Sequence, residues 1–513
     1  MAARKQENSP RAVRTPVCLA VVAVLSACAV GPDFKRPAAP ADAGYTPAPL
    51  PGKTDSASVH GGEAQQFAIG RDIRFDWWTV FKSPALDSLV QQAFKANPTI
   101  DSAVAALQQA QENVRAQQGY FFPTVSAGYS FERQQIPGNM GGNSPGLQGN
   151  GTVVMSSPGH PAIYNFHTAQ LTVGYTPDVF GGNRREVESL KAQEEDQRFL
   201  LEAAYITLAS NVVAAALQEA STRAQIAAVN EIIRVNQQML GILHHQFRTG
   251  YVMRIDVAAQ EAALASAQAM LPPLDKQYQQ TRDLIRALVG NLPNQDVPEA
   301  FTLDSLQLPQ DLPVSLPSKL VEQRPDVRAA EAQMHAASAE VGVAIANMLP
   351  QFNLTAAAGG EATVFSQMFA AGGPFWSVAP GVTQPLFDGF TLLHRKRAAD
   401  QALRQAQAQY RSTVISAFQN VADTLHALVS DAAALSAAVK AEQAAKVTLD
   451  LTERQGKVGY VNYLTLLQAQ QAYQAALVTR VQAAATRFGD TAALYQALGG
   501  GWWHREKVQT AAN

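Results

Sequence analysis

Cysteine is nearly absent from this chain, since only Cys18 and Cys28 occur among its 513 residues. Both lie near the N-terminus, which excludes a disulfide framework in the rest of the chain. An excess of one charge is also lacking, because 40 Lys and Arg residues face 42 Asp and Glu residues. A net charge of −2 gives no reason to expect nucleic acid or an acidic substrate as a partner.

Catalytic motifs are missing as well. The sequence contains no Gly-x-Ser-x-Gly, no HExxH, no Walker motif and no dinucleotide-binding pattern. His244 and His245 are adjacent, so on a helix they point in different directions and lack metal-ligand spacing. The sequence therefore predicts no enzyme, no metal site and no cofactor, and it predicts that these histidines lie on the surface.

No uninterrupted run of 18 or more apolar residues occurs, so no transmembrane helix is predicted. The short apolar run Val17 to Ala27 follows four basic residues and predicts a signal peptide over residues 1–27. It ends Leu25-Ser26-Ala27-Cys28, which resembles a bacterial lipobox with Cys28 as the lipidated residue. An ordinary signal peptide that contains a cysteine is the alternative. Ala29, and not Asp, follows Cys28, and the resemblance to sorted bacterial lipoproteins therefore implies the outer membrane.

The most regular stretch runs from Phe390 to Leu498. Between Phe390 and Gln455 there is neither Gly nor Pro, and apolar residues recur every three or four positions. Such a helix would be roughly 100 Å long at ~1.5 Å per residue. A turn around Gly459 then precedes a second helical pattern. We predict a very long antiparallel hairpin that needs partner helices to bury its faces.

The sequence also repeats itself. Asn97-Pro98 to Pro123 parallels Arg324-Pro325 to Pro350, and Arg248 to Val252 parallels Lys457 to Val461. Val179-Phe180-Gly181-Gly182 likewise parallels Leu386-Phe387-Asp388-Gly389. The predicted organisation is a signal peptide (1–27), a lipidated tether (28–75), repeat 1 (76–290, strands within about 122–178, hairpin 183–289), a linker (291–322), repeat 2 (323–498, strands within about 351–387, hairpin 389–498) and a tail (499–513).

Each repeat contains two segments with alternating apolar and polar residues. Val125, Ala127, Tyr129 and Phe131 alternate with Thr124, Ser126, Gly128 and Ser130, for example. The four strands are predicted at Thr124–Arg133, Asn165–Thr176, Gln351–Gly359 and Phe375–Gln384. The pattern fits a membrane barrel wall, with a half-buried soluble sheet as the alternative. Four strands cannot close in a bilayer, where small barrels need ~8, so several copies must combine.

Three local stretches carry a family resemblance: Cys28 to Pro37 (CAVGPDFKRP), Trp77 to Phe81 with Leu86-Asp87-Ser88-Leu89, and Arg324 to Glu331 (RPDVRAAE). They resemble the TolC-like outer membrane factors, in particular the lipoproteins of resistance-nodulation-division efflux systems. The resemblance implies a mainly helical fold, with a long coiled-coil barrel and four strands per chain in a twelve-stranded trimeric barrel. It implies a homotrimer in the outer membrane of a Gram-negative bacterium that contacts a periplasmic adaptor and an inner-membrane transporter.

The resemblance also assigns functional positions. It implies that the tunnel ends at the two helical turns and that a constriction lies just beyond the second, at Leu464 and Gln468. The family often has Asp where Gln468 stands, so an uncharged ring with weak cation binding is expected. Turn geometry alone also explains the two glycines, because tight turns use positive φ. The expected adaptor-docking residues are Arg248, Thr249, Gly250, Val458, Gly459 and Tyr460.

The sequence favours one function and leaves two alternatives open. The favoured function is the exit duct of an efflux pump for drugs or other small compounds. The alternatives are the duct of a type I protein-secretion system and a structural spacer of the envelope. The lipobox favours efflux. Near the first turn, Arg254 and Asp256 are interpreted as an ordinary solvated ion pair, or as a link between helices.

Overall fold

The computed structural model describes residues 29–40, 44–136, 142–143, 155–156, 161–458 and 460–505. The predicted signal peptide, Cys28, Gly459 and most of the predicted tail lie outside these residues. The chain forms two compact units. We call the unit of residues 29–35, 108–194 and 332–408 the sheet unit, and the unit of residues 36–107, 195–331 and 409–505 the helical unit.

Two helices of equal length dominate the chain: α3 (Gly182–Arg248) and α8 (Thr391–Lys457) each contain 67 residues. Their bounds agree within two residues with the sequence prediction. Within α3 an 18-residue window is apolar enough to cross a membrane, but 61% of it is buried inside the chain. The other helices are α1 (Pro84–Ala96), α2 (Pro98–Gln118), α4 (Arg254–Ala269), α5 (Leu271–Leu288), α6 (Pro317–Gln323), α7 (Pro325–Ala346) and α9 (Tyr463–Ala497).

The return from the first turn was predicted as one helix from Met253 to Val289, and this prediction is wrong. The structure divides it into α4 and α5, which meet at Met270. Pro272 and Pro273 follow directly. Neither has a backbone N–H, and a proline ring disturbs the preceding turn, so both are tolerated only at a helix start.

The sheet unit contains four antiparallel strands: β2 (Thr124–Ile136), β5 (Ala162–Tyr175), β7 (Gln351–Ala362) and β8 (Pro374–Thr383). They lie in the order β2-β5-β7-β8. All four predicted strands are confirmed. β2 and β8 are the edges, and among the described residues neither edge has a further partner strand. A short antiparallel pair, β3 (Gly142–Asn143) and β4 (Met155–Ser156), lies in the sequence between β2 and β5.

The register of this sheet places most of the apolar positions of the four strands on one face. Ala127 pairs with Leu171, Leu171 with Ala358, and Ala358 with Trp376. Directly paired residues of neighbouring strands share a face, and alternate residues along a strand share it too. The apolar face therefore carries Val125, Ala127, Tyr129, Phe131, Ala169, Leu171, Val173, Leu354, Ala356, Ala358, Trp376, Val378 and Val382.

The opposite face is mainly polar and small. It carries Thr124, Ser126, Gly128, Ser130, Gln170, Thr172, Asn353, Thr355, Ser377 and Gly381. No part of the chain that the structure describes covers the apolar face, since Val125, Trp376 and Val382 are 68%, 79% and 63% exposed. An uncovered apolar face of this extent needs an apolar environment or a partner.

The core of the helical unit contains a cluster of buried aromatic residues. Trp77 and Trp78 are each 1% exposed, and Trp77 stacks on Tyr495. A parallel pair of strands, β1 (Gln66–Ile69) and β6 (Asp311–Val314), was not predicted. The Pro-rich linker is packed into this unit, because Val297 and Phe301 are buried.

Candidate functional site: the helical tips

The first turn, Arg248 to Val252, ends α3 with a glycine in the left-handed region. Gly250 has φ +79. Its N–H bonds to the Phe247 carbonyl at 3.1 Å, and the Tyr251 N–H bonds to the Gln246 carbonyl at 2.9 Å. These two bonds define the Schellman motif and satisfy carbonyls that the helix end would leave free. The turn-geometry explanation for Gly250 is therefore confirmed.

The second turn repeats one of these bonds. The Tyr460 N–H bonds to the Gln455 carbonyl at 3.0 Å, which is the same five-residue step as the bond from Tyr251 to Gln246. The predicted docking residue Gly459 lies outside the described residues. Asn462 then caps α9, since its side-chain oxygen accepts from the Thr465 N–H at 2.9 Å.

The two turns present large side chains that the chain leaves uncovered. Tyr251 and Tyr460 are each 84% exposed, and Val458 is 66% exposed. Arg248 and Thr249 are exposed too, as are His244 and His245, which confirms the surface prediction for the histidines. Exposed aromatic residues that make few contacts of their own are suited to anchor a partner.

Leu464 and Gln468 occupy one face of α9, one helical turn apart. Leu464 is 54% exposed and Gln468 is exposed, whereas Leu467 between them is only 6% exposed. The predicted constriction residues thus share a face that a single chain leaves free. Within the described residues, no group of three or more metal-ligating side chains lies here or elsewhere.

The opposite face of α9 is held by a buried polar network that the sequence did not indicate. The Tyr463 hydroxyl donates to Gln260 on α4, and the Gln260 amide donates to the Asn236 carbonyl oxygens on α3 at 2.9 Å. Gln260 and Asn236 are 0% and 2% exposed. Burial, with the nearby charge of Asp256, raises the pKa of Tyr463 to about 12. The network connects three helices directly behind Leu464, so it fixes the position of the predicted constriction.

The interpretation of Arg254 and Asp256 as an ion pair is wrong. Arg254 pairs instead with Glu261, with N–O distances of 3.1 and 3.2 Å. Asp256 accepts the Met253 backbone N–H at 3.0 Å and so caps the start of α4. The cap explains why an acidic residue stands here, because a carboxylate in the first turn also offsets the helix dipole.

A second titratable feature lies on the α8–α9 hairpin of the helical unit. Burial, a hydrogen bond with Asp490 and the charge of Asp490 raise the pKa of Asp431 from 3.8 to about 7, against the opposing effect of Arg487. Arg487 is fully buried and donates to the Glu63 and Gly61 carbonyls at 2.6 and 3.2 Å. Ionising two carboxyl groups that contact each other is energetically unfavourable, so this pair keeps one proton up to about pH 7.

We expect this pair to make stability depend on pH. A raised folded-state pKa means that the folded chain binds the proton more tightly than the unfolded chain. Stability is then greatest below about pH 4, falls as pH rises toward about 7, and is level above it. Asp431→Asn should flatten this slope and stabilise the protein above pH 7, on the order of 1 kcal/mol because Asp431 is partly exposed.

Thermal unfolding in detergent at several pH values would measure this effect. Asp450→Asn is the matched control, because Asp450 is exposed on the same helix. A wild-type protein whose unfolding temperature does not fall between pH 4 and pH 7 would contradict the assignment.

The model of the family described as outer membrane efflux protein matches residues 89–291 and 316–500. The chain belongs to the outer membrane efflux protein family. As a member of this family it is an outer-membrane protein.

Curated relatives match this outer membrane efflux protein over nearly their whole length. The toluene efflux pump outer membrane protein TtgC of Pseudomonas putida is 28% identical over 496 residues, which cover 95% of this chain and 96% of TtgC. The pyoverdine export outer membrane protein OpmQ of Pseudomonas aeruginosa is 29% identical over 472 residues, covering 90% and 94%. Both relatives are named as outer membrane proteins, one of an efflux pump and the other of an export system.

Solved structures agree on the fold. The CmeC outer membrane channel of Campylobacter jejuni has a TM-score of 0.80 at 21% identity, covering 93% of this chain and 96% of CmeC. The open state of the MtrE outer membrane channel of Neisseria gonorrhoeae has a TM-score of 0.76 at 25% identity, covering 92% and 98%. This outer membrane efflux protein therefore has the mainly helical fold of the TolC-like channels.

Proposed function

We propose that this protein is the outer-membrane exit duct of a tripartite efflux pump. A homotrimer passively conducts drugs or other small compounds from a periplasmic adaptor and an inner-membrane resistance-nodulation-division transporter to the outside. The observation that carries the proposal is the four-stranded sheet. It has one apolar face, one polar face and two open edges, and it is joined to two helices of 67 residues each.

The open edges support a ring of copies. Four antiparallel strands leave β2 and β8 running in opposite directions, so β8 of one copy can pair antiparallel with β2 of the next. A membrane tolerates strands only when every edge is paired, and closed barrels need ~8 strands or more. Three copies give the twelve strands of the proposed barrel, with the apolar face toward lipid and the polar face toward the lumen.

We propose further that the chain contains an internal two-fold repeat, with the domain boundaries predicted from the sequence. The bond from Arg185 N–H to the Gly181 carbonyl recurs 209 positions later, from His394 N–H to the Phe390 carbonyl. The Tyr251 bond recurs at Tyr460 with the same spacing. Repeated hydrogen bonds at one spacing support a duplicated unit of strands, long helix and turn.

The signal peptide and lipid anchor at Cys28 are part of the proposal. Val30 follows closely, and its N–H bonds to the Phe180 carbonyl at 3.1 Å, five residues beyond the end of β5. Val30, two residues after Cys28, therefore lies at the base of the sheet. An acyl chain there would enter the same membrane that the strands cross.

The names of the relatives favour small compounds as cargo. TtgC is named for toluene efflux and OpmQ for pyoverdine export. A small-molecule duct therefore fits better than a protein-secretion duct. We assign adaptor docking to the two turns, with Arg248, Thr249, Gly250, Val458, Gly459 and Tyr460, and the constriction to Leu464 and Gln468.

Single-channel recording in planar bilayers tests conduction. The wild type should show a small resting conductance, and Leu464→Ser should raise it several-fold because a ring of leucines loses its apolar bulk. Leu284→Ser is a control, since Leu284 is 50% exposed on α5, away from this face. Absence of any channel would indicate a structural spacer, and equal conductance in the wild type and Leu464→Ser would reject the constriction.

A further inference from the structure

The connection from β8 to α8 contains a strained residue with an exposed side chain. Phe390 has φ +66, and Lys82 is the other non-glycine residue with positive φ among the described residues. This left-handed region is sterically unfavourable for any residue with a Cβ atom. A strained conformation that persists is a reason to ask what the side chain does.

By its backbone hydrogen bond, Gly181 in the first connection is the structural counterpart of Phe390, two residues beyond Asp388, with which the sequence repeat pairs it. Gly181 has φ +77 and, like Phe390, accepts the N–H of the fourth residue after it. An aspartate fixes both helix starts: Asp178 accepts from the Asn183 N–H at 3.0 Å, and Asp388 from the Leu392 N–H at 2.8 Å. Glycine would therefore suit position 390 without strain, and the phenylalanine must be explained by its side chain.

The chain itself covers the first connection. Ala29 lies so close to Gly181 that a Cβ atom on the glycine would come within 2.6 Å of the Ala29 Cα. Gly31 packs in the same way on Gly342 of α7, and Phe34 stacks on His335 with ring centroids 4.3 Å apart. Residues 29–34 therefore fill the space beside the first connection.

No described segment covers the second connection in this way. Leu386, Phe387 and Phe390 are 93%, 80% and 60% exposed, and the space around Gly389 is open. No residue of α8 from Thr391 to Ala408 is buried, whereas Arg185, Val187, Ser189 and Ala192 are buried at the start of α3. An apolar surface of this kind indicates a missing partner.

We propose that Leu386, Phe387 and Phe390 form an anchor that docks onto a second copy of this chain. This inference rests on the proposed ring of copies. β8 ends at Thr383, three residues before Leu386, so a copy that pairs with this edge passes beside the anchor. In antiparallel pairing the start of β2 of that copy lies next to the end of β8. Tyr120 and Phe122, which precede β2, are 67% and 69% exposed and form the complementary surface.

Phe390→Gly tests this anchor, because it has opposite expected effects on the subunit and on the trimer. Relief of strain should stabilise the subunit fold, whereas loss of the phenyl contact should weaken the trimer. The glycine removes the strain, so the subunit fold should be retained. The anchor predicts that the full-length protein in mild detergent dissociates from trimer to monomer at least about tenfold more readily. Lys82→Gly is the matched control, since it relieves the same type of strain at an exposed residue and should leave assembly unchanged.

Phe122→Ala supplies a second arm from the other side of the interface. It should weaken the trimer by a similar factor, and the double variant should be little worse than either single variant, because both remove one contact. A Phe390→Gly trimer that is as stable as the wild type would overturn the proposal. An intact trimer that binds lipid vesicles less well would assign the anchor to the membrane surface and would also overturn it. A wild type that is itself monomeric would instead refute the proposed ring.

Discussion

Val378→Lys should sharply reduce the amount of assembled protein in the outer membrane, whereas Ser377→Lys should leave it nearly unchanged. The two residues are neighbours on β8, both exposed, and the register places them on opposite faces. Val378 pairs with Ala356 on the apolar face and Ser377 with Ala357 on the polar face. A lysine on the lipid-facing side near mid-membrane costs about 2–4 kcal/mol per copy, while a lumen-facing lysine remains hydrated.

The fraction of heat-resistant trimer in outer-membrane preparations measures this difference. The comparison is well controlled, since the same side chain is introduced one residue apart on the same strand. Equal assembly of the two variants would argue for a sheet with no lipid-facing side. A larger loss with Ser377→Lys would reverse the proposed orientation of the wall.

Tyr460→Ala should reduce export to the level of a strain without the protein, although the channel itself remains intact. The side chain is 84% exposed, so its removal takes away few contacts within the chain. Exposed aromatic residues at the centre of an interface often dominate binding, and truncation of one typically costs ≥ 2 kcal/mol. Loss of docking would uncouple the duct from its pump.

Intracellular drug accumulation, single-channel conductance and unfolding temperature should be measured on the same variant. We expect the first to rise and the other two to stay at wild-type values. Leu292→Ala is the control, because Leu292 is 64% exposed in the linker. Normal export by Tyr460→Ala would remove the docking assignment from this tip.

The long helices and the strands were predictable because local signals specify them. Absence of Gly and Pro from Phe390 to Gln455 allowed a 67-residue helix, and Gly250 marked the end of its counterpart. Alternation identified the four strands of the sheet. The break at Met270 was also visible in Pro272 and Pro273, but the apolar periodicity on both sides obscured it.

Features that depend on distant pairs were not predictable. The hydrogen bond between Tyr463 and Gln260 joins residues 203 positions apart, and no spacing pattern in the sequence predicts it. β1 and β6 are four residues each and lie more than 200 positions apart. Arg254 pairs with Glu261 and not with Asp256, because the carboxylate of Asp256 accepts the Met253 N–H at the start of α4. Each of these contacts is decided by which groups the folded chain brings together, and local sequence patterns do not record that.

The most direct test of the account is a disulfide between β2 and β8 of neighbouring copies. The mature chain would keep no cysteine but Cys28, so a cysteine at Ser126 can be combined with one at Ser377, Ala379 or Gly381 to scan the register. Paired Cα atoms about 5.5 Å apart can form the bond. We predict that at least one pair yields covalent species of two and three chains and no more. No cross-link with any pair, a link within one chain, or a ladder that continues past three chains would contradict a closed ring of three copies.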